Sequence, residues 1–272
     1  MQYKIVIPAR FASTRLPGKP LMNIAGRPMI WHTYQRALET LIGNKNIVIA
    51  TDHAETAQIA TDFGANVVMT SSEHESGTSR LAEVARRSNW DEDTIVVNLQ
   101  GDEPLLAPDL IELTAKTLAD NPHAGISTLG CQIKEQADLL NPNCVKVVCD
   151  RNGKAIYFSR SAIPFARDGF EQAHFDTPRN PWQRHIGMYA YRVSALYQYQ
   201  AWPSSVLEEL EKLEQLRAIF NDVHIQVALI DKAPRHGVDT FDDLEKVRHI
   251  IAQGSAEQTQ LQKQNSANSH YF

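Results

Sequence analysis

Three basic residues lie close together in a loop that follows the first apolar segment of the chain. Arg10, Arg15 and Lys19 come after the apolar run Ile5–Ile7, and no acidic residue precedes Glu39, although the formal net charge of the chain is −5. Arginine forks and a lysine charge, among small residues that leave backbone N–H groups accessible, suit a polyphosphate. A solvated basic loop is the alternative interpretation, and the motifs below favour the polyphosphate.

Two carboxylate motifs follow predicted strands further along the chain. Asp102 comes after the predicted strand 94–99, and Asp239 follows the predicted strand 224–230. Ligands of open parallel sheets bind at the carboxyl ends of the strands, where a carboxylate is well placed for Mg²⁺ held on substrate phosphates. Each residue also has a structural alternative, Asp102 as a turn former and Asp239 as the residue before the Thr240 helix cap.

A third motif places small residues and a cation at the start of a predicted helix. Gly77 and Arg80 lie in the first turn of this helix, where free backbone donors favour an anion or the edge of a base. Simple helix capping by Ser76 or Thr78 is the alternative interpretation.

Weaker signals lie in the second half of the chain. Arg160, Arg184 and His185 are candidates for recognising a carboxylate, since the guanidinium fork matches it in a bidentate manner. Surface arginines are usually only solvated, which leaves the structural interpretation open.

The segment 206–220 is predicted to form one helix with a charge inside its apolar face. Arg217 lies within that face, and Glu214 is the nearest partner in sequence. Gln215 projects from the opposite side, toward solvent or a cleft wall. The apolar face itself consists of Val206, Leu210, Leu213, Leu216 and Phe220.

Composition and missing motifs exclude several classes of protein. The 272 residues are 43% hydrophobic and 22% charged, ordinary for an enzyme, and the acidic balance argues against a nucleic-acid partner. Three cysteines without C-x-x-C spacing, no signal peptide and no transmembrane run indicate a reducing cytoplasm and no membrane partner. No dinucleotide fingerprint, P-loop, nucleophile elbow or His/Cys metal spacing is present.

The elements that must position these residues alternate regularly through the first half. Strands are predicted at 4–7, 46–50, 66–69 and 94–99, and helices from Pro28, at 54–63, at 78–87 and from Pro108. The first helix has an apolar face of Ile30, Tyr34, Ala37 and Leu41. Buried strands alternating with helices predict an α/β fold in three layers, with a mostly parallel sheet covered on both faces.

The regular alternation ends after about residue 129. A hairpin is predicted at 145–149 and 155–159, a loop at 164–181, a strand at 186–191 and a last helix behind a capping box of Thr240 and Asp243. We interpret residues 1–252 as one domain in which about 131–192 form an inserted smaller lobe for substrate or dimer contacts. The glutamine-rich tail, 253–272, is predicted to be disordered.

The chain closely resembles the 3-deoxy-manno-octulosonate cytidylyltransferase (CMP-KDO synthetase) family. The segments that carry the resemblance run in order over residues 3–250, and are Ile7–Leu21, Asn98–Pro104, Asn141–Val147, Tyr157–Arg160, Arg184–Gly187, Leu213–Arg217 and Gly237–Thr240. Where the family usually reads Ser-Gly-Thr-Glu-Arg, this chain has Ser79 in place of the glutamate.

This resemblance implies a nucleotide-diphospho-sugar transferase fold, a homodimer built on the middle lobe, and Mg²⁺. It implies the reaction of CTP with KDO to give CMP-KDO and diphosphate, for lipopolysaccharide synthesis. The residues it implies for CTP are Ala9, Arg10, Ser13, Arg15, Lys19, Gly77, Arg80, Gln100 and Asp102. Those implied for the metal are Asp102 and Asp239, with Lys19 and Arg10 catalytic beside them, and those for the sugar acid are Arg160, His185, Glu214 and Gln215.

Three alternatives remain open at this stage. One is a cytidylyltransferase for a related sugar acid, 8-amino-KDO or a sialic acid. The others are a guanylyl- or uridylyl-transferring sugar-phosphate enzyme and a catalytically silent nucleotide-binding regulator. A silent protein is expected to lack Lys19 or one metal carboxylate, and this chain keeps all three.

Overall fold

The structure is a computed structural model that describes residues 1–12, 16–74, 76–170, 175, 177, 180–235 and 237–253. Its strands are β1 (Lys4–Pro8), β2 (Asn23–Ile24), β3 (Arg27–Pro28), β4 (Ile47–Thr51), β5 (Asn66–Met69), β6 (Ile95–Asn98), β7 (Ile126–Gln132), β8 (Lys146–Cys149), β9 (Ala155–Ser159), β10 (Gln183–Arg192) and β11 (Ile225–Ile230). Its α-helices are α1 (Met29–Leu38), α2 (Ala54–Asp62), α3 (Gly77–Arg87), α4 (Pro108–Ala119), α5 (Gln136–Leu140), α6 (Val193–Ala201), α7 (Val206–Glu211), α8 (Gln215–Phe220) and α9 (241–253).

Seven strands form the main path of one mixed sheet in the order β11-β7-β10-β6-β1-β4-β5. The pairs β1/β4, β1/β6, β4/β5 and β11/β7 are parallel, whereas β10 is antiparallel to both β6 and β7. Six of these seven strands therefore point the same way, and the mostly parallel α/β fold predicted from the sequence is confirmed. Because β10 runs in the opposite direction, its first residues lie at the carboxyl ends of its neighbours.

Alternate side chains of the central strands pack into two separate apolar layers. Ile5 and Ile7 of β1 belong to a cluster that includes residues of α1, α2 and α4, whereas Val6 belongs to a second cluster with residues of α3, α6 and α8. All three side chains are fully buried. The near-continuous apolar strands of the sequence thus reflect helices on both faces of the sheet.

The predicted single helix 206–220 is wrong, because the chain breaks into α7 and α8 at Lys212. This residue adopts the left-handed conformation with φ 53° and ψ 47°. The break turns Val206, Leu210 and Phe220 outward, where they are exposed, while Leu216 is fully buried. A helical repeat of apolar residues in the sequence therefore did not correspond to one continuous buried face.

Two further differences lie in α1 and α6. Leu41 was assigned to the apolar face of α1, but the helix ends at Leu38 and the Leu41 side chain is 95% exposed. Helix α6 was not predicted, since it follows β10 without a loop and its N-cap residue, Arg192, makes no side-chain cap hydrogen bond. The predicted capping box before α9 is confirmed, because Thr240 and Asp243 exchange hydrogen bonds of 3.0 and 3.2 Å.

The inserted lobe contains α5 and the antiparallel hairpin β8–β9, which joins the main sheet through β10. Its boundaries, and the single domain over 1–252, stay predictions. Of the predicted disordered tail, only residue 253 is described, at the end of α9, and residues 254–272 lie outside the described residues. None of the described helices has the length and apolar character needed to cross a membrane.

Candidate functional site

A cavity of about 490 Å³ opens at the carboxyl ends of the central strands. It lies within the size range of small-molecule sites. Eleven of the fourteen predicted site residues line it, namely Ala9, Arg10, Lys19, Gly77, Arg80, Gln100, Asp102, His185, Glu214, Gln215 and Asp239. Of the other three, Ser13 and Arg15 lie outside the described residues, and Arg160 does not line the cavity.

One lysine bridges the two carboxylates that were predicted to hold a metal. Lys19 Nζ lies 2.5 Å from Asp102 Oδ2 and 3.3 Å from Asp239 Oδ1. The loops that carry the carboxylates are joined by the Val238 N–H, which donates to the Asp102 carbonyl at 2.9 Å. Gly237 allows this approach, since a Cβ at that position would lie 2.9 Å from Glu103 Oε1. The three charged groups therefore form one cluster at the cavity wall.

Glu103 adds a third carboxylate that the sequence interpretation did not single out. Burial, together with the negative charges of Asp102 and Asp239, raises the pKa of Glu103 to about 8, and the charge of Lys19 only partly opposes this. Burial is the larger cause of the raised pKa, and the charges of Asp102 and Asp239 add to it. The position of Glu103 directly after Asp102 was the sequence signal that could have identified it. Its burial and its proximity to Asp239, which is distant in sequence, could not be predicted from the sequence.

The donor set at this cluster fits a magnesium ion that is also held by substrate. Asp102 and Asp239 supply hard oxygen ligands, and their side chains are 31% and 54% exposed, so both face solvent. Among the described residues, no group of three or more His, Cys, Asp or Glu side chains could hold a metal by itself. Two carboxylates are a common protein contribution to a Mg²⁺ site, where phosphate oxygens and water complete the coordination shell.

The N-terminus of α3 forms another part of the cavity wall. Ser76 is the N-cap, accepting a hydrogen bond from the Ser79 N–H at 3.2 Å, and Ser76, Gly77 and Thr78 line the cavity. A Cβ on Gly77 would lie 3.4 Å from amide nitrogens of both Asn98 and Gln100. The eleven-residue helix thus presents its positive end to the cavity, beside the side-chain amides of Asn98 and Gln100.

Arg80 lies at the cavity but is held by protein partners. Its guanidinium donates to Asp52 Oδ2 at 2.8 Å and to Thr70 Oγ1 at 2.5 Å, and the side chain is 2% exposed. Asp52 Oδ1 also accepts from the N–H of Phe11, at the start of the basic loop. Asp52 therefore ties that loop to α3. It directly follows strand β4, so the strand-end rule that selected Asp102 was the signal that could have found it.

Another part of the cavity wall carries polar groups suited to a polyhydroxylated ligand. Glu214 Oε2 accepts from Thr78 Oγ1 at 3.3 Å, and burial raises the pKa of Glu214. Gln215 is 9% exposed, and its Nε2 is buried with no hydrogen-bond partner among the described residues. A buried amide donor without a protein partner is a group that a ligand oxygen can satisfy.

The surroundings of His185 favour its neutral form. Burial, with a smaller contribution from the charge of Arg184, lowers the pKa of His185 to about 3. Its Nε2 lies 3.1 Å from Thr128 Oγ1, which also lies 2.8 Å from the Met188 carbonyl. Because the hydroxyl has one proton to donate, we assign the Nε2 proton to the histidine. Nδ1 is then an acceptor, suited to a sugar hydroxyl rather than to a carboxylate.

The prediction that Glu214 is the partner of Arg217 was wrong. Its guanidinium makes two hydrogen bonds to the Glu208 carboxylate, at 2.7 and 2.6 Å, and lies 4.5 Å from the Tyr199 ring centroid. Glu214 makes none of these contacts. Glu214 and Arg217 do keep an i,i+3 relation at the start of α8, since the Arg217 N–H donates to the Glu214 carbonyl at 3.1 Å. The break at Lys212 instead brings Glu208 of α7 within reach of the Arg217 guanidinium.

Comparisons with known proteins identify the family of this chain. A family profile described as cytidylyltransferase matches residues 4–225. The 3-deoxy-manno-octulosonate cytidylyltransferase of Hahella chejuensis (strain KCTC 2396) is 52% identical over 254 residues, which cover 93% of this chain and 99% of that protein. The protein named 3-deoxy-manno-octulosonate cytidylyltransferase 2 of Actinobacillus pleuropneumoniae serotype 5b (strain L20) is 49% identical, with the same coverage.

A solved structure is similar over the same part of the chain. It is the structure of CMP:2-keto-3-deoxy-manno-octonic acid synthetase complexed with CTP, with a TM-score of 0.83 and 40% sequence identity. The similarity covers 93% of this chain and all of that one.

Proposed function

The chain belongs to the 3-deoxy-manno-octulosonate cytidylyltransferase family, and we propose that its cavity binds CTP and the sugar acid KDO side by side. The enzyme is a nucleotidyltransferase that converts CTP and KDO into CMP-KDO and diphosphate, activating KDO for lipopolysaccharide biosynthesis. The observation that carries the assignment of the two halves is the position of Lys19 between Asp102 and Asp239, in a cavity that Glu214 and Gln215 also line.

The triphosphate end of the cavity is the basic and carboxylate cluster. Lys19 and Arg10 neutralise phosphate oxygens, and the α3 N-terminus, at Gly77, donates backbone N–H groups to the nucleotide. Asp102 and Asp239 would hold Mg²⁺, which would supply positive charge to the triphosphate and make the attacking sugar hydroxyl more acidic. Ser13 and Arg15 are assigned to CTP from the sequence motif.

The sugar acid is proposed to bind the wall that Glu214, Gln215 and His185 line. Glu214 and Gln215 bind its hydroxyl groups, and His185 offers Nδ1 as an acceptor to another hydroxyl. The anomeric hydroxyl oxygen then attacks the α-phosphorus of CTP in line. A new oxygen–phosphorus bond forms, the bond to the bridging oxygen breaks, diphosphate leaves, and the hydroxyl proton passes to water. Positioning and charge neutralisation carry most of the catalysis in such transfers.

A diphosphate-release assay with four nucleoside triphosphates and several acceptors tests this function. We expect release with CTP and KDO, and none with CTP and a sugar that lacks the carboxylate. A preference for 8-amino-KDO or a sialic acid would reassign the acceptor, and a preference for UTP or GTP with a sugar phosphate would reject the cytidylyltransferase function.

We also propose that the enzyme is a cytoplasmic homodimer. The dimer is supported by the family resemblance and by the exposed apolar side chains of Ile156 in β9 and Leu229 in β11. A reducing compartment is supported by three cysteines that are all free thiols. Light scattering coupled to gel filtration gives the mass in solution, and a monomer would contradict the proposed homodimer.

A further inference from the structure

Arg160 and Glu211 hold each other by reciprocal hydrogen bonds outside the cavity. The Arg160 Nε donates to the backbone carbonyl of Glu211 at 2.6 Å, and the Glu211 carboxylate accepts from the Arg160 backbone N–H at 2.9 Å. The other carboxylate oxygen of Glu211 accepts from the Ser159 hydroxyl at 2.6 Å. The side chain of each residue therefore bonds to the main chain of the other.

The guanidinium of Arg160 also caps the end of a helix. Glu211 is the last residue of α7, and Arg160 Nη2 lies 3.5 Å from the next carbonyl, that of Lys212. Carbonyls at a helix C-terminus have no partner within the helix and carry partial negative charge, so a cation stabilises them. Nη1 donates to the Pro142 carbonyl at 3.1 Å.

The strand end that carries Arg160 is itself anchored by a buried lysine. Lys146 is fully buried, and its Nζ donates to the carbonyls of Arg160 and Cys144 at 2.6 Å and to that of Asn141 at 2.9 Å. A buried ammonium is stable only with such partners, so the position of the Arg160 main chain is fixed by the core of the lobe.

The segment that this contact holds leads directly into the cavity. Lys212 takes the left-handed conformation immediately after Glu211, and Glu214 and Gln215 follow as the residues that begin α8 and line the cavity. A left-handed conformation is unfavourable for a residue with a side chain and persists only when its surroundings enforce it. The hydrogen bonds from Arg160 to the carbonyls of Glu211 and Lys212 stabilise this conformation.

We propose that Arg160 and Glu211 are positioning residues for the sugar-acid end of the cavity, acting through the Lys212 turn on Glu214 and Gln215. The proposal rests on the proposed function for the identity of the acceptor. It assigns to Arg160 a different role from the direct carboxylate binding implied by the family resemblance, since Nε, Nη1 and Nη2 all donate to main-chain carbonyls. Glu211 had no role in the sequence interpretation.

Steady-state kinetics of the full-length enzyme with Glu211→Ala, Arg160→Ala and the double variant test the proposal. We expect either single variant to raise the KM for KDO about ten-fold or more, and to leave the KM for CTP within about two-fold. The double variant should be no worse than the poorer single variant, because both remove the same contact. Glu211→Gln should restore near-normal kinetics, since its amide oxygen still accepts from the Arg160 N–H and its nitrogen can donate to Ser159.

Direct binding of the carboxylate by Arg160 predicts a different pattern. Under direct binding, Arg160→Ala would raise the KM for KDO, whereas Glu211→Ala would leave it unchanged. This result would overturn the proposal. An equal rise in the KM for CTP would also overturn it. Arg151→Ala, which removes an exposed arginine from the tip of the same hairpin, is the matched control and should behave as the wild type.

Hydrogen exchange without substrates gives a readout that does not depend on turnover. The N–H groups of Leu216 and Arg217 bond to the carbonyls of Leu213 and Glu214 at 3.1 Å, and they should exchange several-fold faster in Glu211→Ala. Unchanged exchange there overturns the proposal. If the wild type released no diphosphate from CTP and KDO, the proposed function would fail instead, while this measurement would still decide the positioning role. Arg160→Met, which keeps side-chain volume, replaces Glu211→Ala should that variant not fold.

Discussion

Lys19 Nζ lies 2.5 Å from Asp102 Oδ2, and the same ammonium reaches Asp239 Oδ1 at 3.3 Å. The lysine comes from the loop after β1, and the two carboxylates come from loops after β6 and β11. One cation therefore joins three distant parts of the chain at the place where phosphate charge is expected. Its side chain is 14% exposed, so its charge is only partly screened by water.

The first prediction concerns Lys19→Ala. A charge pair at 4 Å contributes about 1 kcal/mol in water and about 4 kcal/mol at an effective dielectric constant near 20. Losing this charge should therefore lower kcat/KM for CTP by about ten-fold or more, as measured by diphosphate release. Lys45→Ala removes an exposed lysine elsewhere and is the control. Unchanged kinetics for Lys19→Ala would instead support the interpretation of the basic loop as a solvated surface loop.

The second prediction concerns the two carboxylates. Asp102→Asn and Asp239→Asn keep the side-chain shape and remove a negative charge, which also lessens the repulsion that acts on Glu103. Each variant should therefore keep the wild-type Tm, while turnover falls by about a hundred-fold or more and needs more Mg²⁺ for half-maximal rate. Turnover as a function of Mg²⁺ concentration measures this.

Asp242→Asn is the control for that experiment, because Asp242 is exposed in the first turn of the same helix that Asp239 precedes. It should match the wild type at every Mg²⁺ concentration. Full activity of Asp239→Asn at limiting Mg²⁺ would make Asp239 only the residue that precedes the Thr240 cap.

The first half of the fold was predictable because each strand and helix carries its own local signal. Val6 alternates with Ile5 and Ile7 between two apolar layers, and Pro108 marks the start of α4. Strand-end logic then located Asp102 and Asp239 before any contact was known. These inferences need only periodicity and the rule that ligands bind at the carboxyl ends of parallel strands.

The sugar-acid end was less predictable because it depends on a single backbone conformation. No residue type marks Lys212 as left-handed, since glycine or asparagine is the usual residue there. That turn decides that Glu208 is the partner of Arg217 and that Gln215 faces the cavity. The neutral form of His185 is favoured by burial against the rings of Phe158 and Tyr189. Phe158 is far from His185 in sequence, and Tyr189 is on the same strand, so the sequence alone does not reveal this burial.

The third prediction concerns the close approach of two main-chain segments at the site. A Cβ on Gly101 would lie 2.8 Å from the carbonyl oxygen of Pro8, so Gly101→Ala must push the end of β1 away from β6. We expect a loss of about 1–3 kcal/mol in the free energy of unfolding, typical of overpacking. Denaturant unfolding measures it. Gly187→Ala is the control, since its Cβ would meet no atom within 4 Å, and equal stability of the two variants would contradict the prediction.

The last prediction concerns stability at acidic pH. The pKa of His185 is lowered to about 3 in the folded protein, against an ordinary value near 6.5. Between these values the unfolded chain binds a proton at this histidine and the folded protein does not, so the stabilisation present above pH 6.5 is lost as the pH falls toward 3. The loss approaches about 1.4 kcal/mol per pH unit for one group, which amounts to about 3 kcal/mol by pH 4.

His185→Gln keeps a donor for Thr128 and removes the titrating ring, so its free energy of unfolding should fall less steeply between about pH 6 and pH 4 than that of the wild type. The variant will be less stable than the wild type at neutral pH, because it loses the ring contacts with Phe158 and Tyr189. The two pH profiles should therefore converge as the pH falls. His249→Gln, at an exposed position in α9, should leave the slope unchanged. Parallel profiles for the wild type and His185→Gln would mean that His185 takes up a proton in the folded enzyme, which would restore it as a cation able to bind the carboxylate of KDO.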